Sequence, residues 1–133
     1  MADARRIRAT AFLLASFTSL AAPTWADPTL ECPGGSQVEI GDCLARTEGQ
    51  VDQALAAALG FARQAAEELD QTTQRAMTVP ALDRAQAAWA AYRDTQCDYV
   101  GATFGGGSGT GQAIRACRIE LGRARVNQLM RRL

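Results

Sequence analysis

The sequence predicts an all-α fold, a small antiparallel helical bundle of about three helices stapled by two disulfides. Three observations carry that expectation. Three stretches repeat apolar residues every three or four positions, the spacing that gives a helix one buried face. Four cysteines, Cys32, Cys43, Cys97 and Cys117, all follow what reads as an export signal, and an even cysteine count in an exported chain argues for disulfides. Between the second and third stretches, six glycines fall within the eleven residues 101–111, a composition that breaks helix and makes a flexible loop.

The export signal comes first. Arg5, Arg6 and Arg8 form a positive n-region, Ala9 to Ala22 an apolar segment, and Thr24-Trp25-Ala26 a cleavage site ending in a small residue. Cleavage is expected after Ala26. The apolar run of roughly fourteen residues is too short for a bilayer core that needs about twenty. Glu31, next to Cys32, stands where a lipoprotein cleavage box needs a small residue. Residues 1–26 are therefore read as a signal peptide and 27–133 as one helical domain. The mature domain is expected to be monomeric, periplasmic or secreted, with no membrane attachment after cleavage. A chain of this length buries a modest core, so covalent cross-links contribute a large share of its stability.

The first helix is expected from about Ile40 to Leu69, burying Val51, Leu55, Ala58, Ala62, Ala65 and Leu69. Gly49 and Gly60 each weaken it by about 1 kcal/mol relative to alanine, which predicts a bend or a split near Gly60. The second begins at Thr78-Val-Pro80, read as an N-cap followed by a proline in the first turn. Its stripe is Leu82, Ala85, Trp89, Tyr92, Gln96 and Val100, with Trp89 and Tyr92 as core and near-core anchors. The third runs from about Gln112 to Arg132 on Ile114, Cys117, Leu121, Ala124, Gln128 and the neighbouring Leu129.

Four cysteines allow three pairings. A helical hairpin across the glycine loop brings Cys97 beside Cys117, leaving Cys32 to tie the Pro33-Gly34-Gly35 leader to Cys43 in the first turn of helix one. Each closed loop stabilises by about 3 kcal/mol in the chain-entropy model. Zinc is the competing use, but no Cys-x-x-Cys pair is present.

Composition excludes much chemistry. There is no histidine, which removes imidazole catalysis and imidazole metal ligation. Ser36 and Ser108, the serines after the signal, sit beside glycines with no base to activate them. Asp94 and Asp98 lie one helical turn apart, and neighbouring acids on a helix are ordinarily solvated. The glycine loop lacks the strand and the Gly-Lys-Ser/Thr of a phosphate cradle. The chain is read as no enzyme, with no cofactor and no metal. Charge is uneven: residues 27–70 hold nine acids against Arg46 and Arg63, residues 71–111 balance, and residues 112–133 hold six arginines against Glu120. An acidic first helix lying beside a basic last helix explains this, as do two opposed patches that steer partners. Nucleic acid is a poor partner for the basic segment, which has no interleaved aromatics.

The run Trp89-x-x-Tyr92-Arg93-Asp94-x-x-Cys97, the Gly/Ser-rich loop, Cys117-x-x-x-Leu121 and Arg125-x-x-x-Leu129 together resemble the N-terminal domain family of the lysozyme inhibitor LprI. Cys43 opening a long Ala-rich helix fits the same pattern. Gly122 departs from it, standing where a threonine-like residue is expected, and the glycine loop is long. The resemblance implies an exported, cysteine-bridged helical domain whose partner is a lysozyme-type muramidase, and it supplies no functional residues. An inhibitor must fill a cleft built around two carboxylates. The candidate surfaces are the loop, with Phe104 as apolar anchor and Ser108 or Thr110 as donors, the acidic face around Glu48 and Asp52, and the pair Arg93-Asp94. A structural or sensory envelope module that binds another exported protein or a cell-wall component is the alternative.

Overall fold

Three α-helices, α1 (Gln37–Thr73), α2 (Thr78–Ala102) and α3 (Thr110–Met130), run up, down and up, preceded by a single 3-10 turn at Pro28–Glu31. They are seen in a computed structural model that describes residues 27–131. The expected signal, residues 1–26, and the last two residues lie outside the described residues. Among the described residues there is no strand. α3 packs most extensively on α1 and next on α2, so the last helix holds the other two together.

Helix α1 starts three residues before the expected Ile40 because a reciprocal cap begins it. The Ser36 hydroxyl accepts from the Glu39 N–H at 3.2 Å, and the Glu39 carboxylate accepts from the N–H groups of Ser36 at 3.1 Å and Gly35 at 2.8 Å. Its 37 residues span about 55 Å at 1.5 Å each. The split expected near Gly60 does not occur. Leu55 and Ala58 are buried before that glycine and Ala66 after it, so tertiary packing on both sides offsets its low helix propensity.

The start of α2 corrects the expected cap. Thr78 is the first helical residue, and Met77 before it makes no side-chain cap. Asp70, from the end of α1, does the capping instead: its carboxylate accepts from the N–H groups of Met77, Thr78 and Val79 at 3.3, 2.8 and 3.1 Å. Desolvation pushes this carboxyl up, but the donors from Val79, Thr78 and Met77 outweigh it and hold it below the ordinary range. Asp70 thus serves both helices, its main-chain carbonyl accepting from Arg75 N–H at the end of α1 and its side chain starting α2.

The core has two parts. Near the first turn of α1, Cys32, Leu44, Val51 and Ile119 are buried, with Ile40 and Cys43 packed against them. Farther along, Leu55, Ala58 and Leu129 are buried beneath Leu82, Trp89 and Val126. Both expected bridges are present, Cys32–Cys43 and Cys97–Cys117, with Cα atoms 5.6 and 5.5 Å apart. Both lie toward the same end of the bundle, the one that carries the glycine loop.

Several expected stripes are rotated. On α1, Ala66 is buried where Ala65 and Leu69 were expected, and Leu69 is exposed. On α2 the inward positions are Leu82, Gln86, Trp89, Arg93 and Cys97, so Tyr92 and Ala85 face outward. On α3 the buried line is Ala113, Ala116, Ile119, Gly122 and Leu129, while Ile114 and Cys117 turn toward α2. A helix with neighbours on two sides buries a wider arc than one stripe describes. Small residues make that arc possible. A Cβ at Gly122 would sit 2.5 Å from Val51 Cγ1, and one at Gly101 would sit 2.6 Å from Ile114 Cγ1.

Opposite charges join the elements. Glu31 takes a bidentate grip from Arg123, with Nη1 and Nη2 each donating at 2.7 Å. That hydrogen-bonded guanidinium holds the Glu31 carboxyl below its ordinary range and raises Arg123 in return. Glu48 on α1 meets Arg115 and Arg118 on α3 at 2.7 and 3.7 Å, and Arg63 pairs with Asp83 on α2. The acidic first helix does lie beside the basic last one.

Candidate partner-binding surface

The glycine-rich connection is shorter than its composition suggests. Gly101 closes inside α2 and Gly111 inside α3, so the loop proper is residues 103–109. Its backbone is hydrogen-bonded turn by turn: Phe104 N–H donates to Gly101 O at 3.0 Å, Gly105 to Ala102 at 3.1 Å, Gly107 to Phe104 at 3.3 Å and Thr110 to Gly107 at 3.0 Å. Gly105 and Gly106 hold φ at 65° and 80°, the left-handed region that other residues enter only with strain. These two glycines therefore set a defined reversal. The loop is thus built of consecutive hydrogen-bonded turns.

Phe104 sits on the outside of that reversal, 54 % exposed, with its ring edge against Gly109. Ser108 is exposed and lines a shallow depression of about 350 Å³ with Gln37, Val38, Asp42, Gln112 and Arg115. Gln112 closes the floor of that depression by donating to the Gln37 carbonyl at 2.8 Å. Thr110 differs from expectation. Its hydroxyl is buried without a partner, because as the first residue of α3 it turns inward toward Gly101.

The acidic candidates are engaged inside the molecule. Glu48 is only 13 % exposed and lies between Arg115 and Arg118. Asp52 lies 2.8 Å from Arg93 Nη2, in ion-pair contact without hydrogen-bond alignment. Arg93 is mostly covered and stacks over the Trp89 ring at 5.6 Å, tying α2 to α1. Asp94 is exposed, with Arg118 at 3.7 Å. The structure thus covers most of Arg93 and Glu48, leaves Asp52 half exposed while paired with Arg93, and places Phe104 and Ser108 on the surface.

Two further exposed residues belong to this end. Tyr99, 66 % exposed, lies in the last turn of α2, and Val38, 72 % exposed, lies in the first turn of α1. Both are apolar residues outside any buried stripe, and that mismatch is the signal from which the sequence could have revealed them.

The stretch from Cys32, which opens the core, to Leu129, which closes it, is also the stretch that a known family describes. The sequence profile of the lysozyme inhibitor LprI family matches residues 32–129. The chain belongs to the lysozyme inhibitor LprI family. No curated protein and no solved structure matches it. The LprI match includes all four cysteines and the whole of the loop. It also includes Gly122, and the contact with Val51 explains why no larger residue stands there. No described helix is long and apolar enough to cross a membrane.

Proposed function

We propose that this LprI-family domain is exported and inhibits a lysozyme-type muramidase by stoichiometric protein–protein contact, through the stapled end of the bundle. The family match over residues 32–129 is the observation that carries this reading. The positive n-region, the apolar segment before Ala26 and the two disulfides support export.

The stapled end suits the role for physical reasons. Phe104 and Tyr99 offer exposed aromatic surface, the type that dominates binding energy at interfaces. The loop beneath Phe104 is fixed by four backbone hydrogen bonds and hinged on a disulfide, so little ordering remains to be done on binding. Ser108 supplies a donor at the rim. The acidic face is the weaker candidate, because Arg115, Arg118 and Arg93 already neutralise Glu48 and Asp52.

The test is clearing of a bacterial suspension by lysozyme, with and without the purified protein. Inhibition is expected to saturate at one inhibitor per enzyme and to need no added metal or cofactor. Replacing Phe104 and Tyr99 together by alanine should weaken it at an unchanged melting temperature. If lysozyme stays fully active at large molar excess, inhibition is wrong and the envelope-module alternative takes its place.

A further inference from the structure

The other end of the bundle has no disulfide, and there the helices part to leave a groove of about 840 Å³. We infer that this groove binds a single-chain anionic amphiphile, an acyl chain ending in a carboxylate. Its volume lies within the range of small-molecule sites, and its character matches them, an apolar lining with a few fixed polar groups. Ala62, Ala65 and Leu69 of α1, Leu82 and Ala85 of α2 and Leu129 of α3 make the apolar part.

The polar part is cationic. Arg125 and Arg131 line the groove, and among the described residues no carboxylate lies within ion-pair distance of either. Arg125 is held in place: its guanidinium stacks over Trp89 at 5.8 Å, its Nε donates to Gln86 Oε1 at 3.1 Å, and its Nη1 donates to Gln128 Oε1 at 3.3 Å. Those amide oxygens orient the group without neutralising it. Desolvation lowers its pKa, the mark of a charge taken partly out of water without a counter-ion. With Nε and Nη1 engaged by amide oxygens, Nη2 and the full positive charge remain for a carboxylate.

Dimension and charge select the occupant. The α1 side of the apolar floor runs from Ala62 to Leu69, about 10 Å at helical rise, enough for a medium acyl chain and short for a partner helix of several turns. A second copy of the chain seated in the groove would bring arginines of like sign together. An acyl carboxylate satisfies both the floor and the cations.

The experiment titrates the isotope-labelled full chain with sodium dodecanoate below its micelle-forming concentration and follows backbone and indole resonances. Saturable one-to-one shifts are expected at Leu82 and Leu129 and at the Trp89 indole beneath Arg125, with the resonances of loop residues 103–109 at the opposite end as internal control. Arg125→Gln should weaken binding by about tenfold or more, the loss of a charge-assisted contact. Ala65→Phe, which fills the exposed floor, should abolish it while preserving the dispersed spectrum, so a misfolded Arg125 variant would not leave the matter open. Acetate and dodecyltrimethylammonium should produce no such shifts. The inference is overturned by equal binding of the cationic amphiphile, by equal binding of acetate, or by absence of the Trp89 shift. Shifts that instead follow protein concentration together with dimer formation would assign the groove to a second copy and overturn it as well.

Discussion

At Gly122 the distance between two helices is decided by one missing methyl group. Val51 Cγ1 occupies the space a Cβ would need, 2.5 Å away, and the nearest atom belongs to a β-branched side chain with few alternative rotamers. Gly122→Ala should therefore destabilise the fold by about 1–3 kcal/mol despite the better helix propensity of alanine, as read from urea unfolding. A gain in stability would mean that the α1–α3 spacing is softer than described. Glu31 works at the same scale through charge. Its carboxyl is held low by Arg123, so its contribution is present above the unfolded value and is lost as pH falls through the lower folded value. Melting temperatures of the parent should fall between pH 6 and about pH 3 more than those of Glu31→Gln. Equal slopes would remove this pair as a source of acid sensitivity. Both partners are partly exposed, which keeps the effect small.

Among the elements, the hairpin of α2 and α3 depends on Cys97–Cys117, which closes a span of 20 residues. Changing both cysteines to serine should cost about 2–5 kcal/mol, measured by denaturant unfolding, and a smaller loss would mean that Gly101 against Ile114 already fixes the hairpin. This hairpin and its bridge were legible in the sequence, because a loop of glycines between two helical repeats leaves few other arrangements. The three helices were legible for the same reason of periodicity. What was not legible has physical causes. Tyr92 follows Trp89 at helical spacing yet faces water, because α3 meets α2 on the side of Arg93 and Cys97. Thr78 reads as the cap of α2 in a linear sequence, but Asp70 lies eight residues upstream and reaches Thr78 only through the tight turn at Gln74. The continuity of α1 through Gly60 required knowing that buried contacts lie on both sides of it. At the candidate surface, Phe104 and Ser108 were readable from the loop, whereas the inward turn of Thr110 is a property of the helix start.

For the whole molecule, charge holds the bundle together more than it reaches outward. Glu48 and Asp52 look like steering charges in a linear reading, and in the fold they face arginines of α3 and α2. Glu48→Arg should thus lower the melting temperature by placing a third cation beside Arg115 and Arg118, while leaving the association rate with a cationic lysozyme nearly unchanged. Stopped-flow association at two salt concentrations checks this, and a marked slowing at an unchanged melting temperature would return the acidic face to the partner interface.

The order of the bridges along the chain has a further consequence. The first cysteine pairs with the second and the third with the fourth, so neither covalent loop encloses or interlocks with the other. In the exported chain proposed above, an oxidant acting on cysteines as they emerge in sequence makes the native pairs directly. Thiol–disulfide exchange is then not needed to repair wrong partners. The connectivity makes oxidative assembly vectorial, each native partner being the next cysteine to arrive.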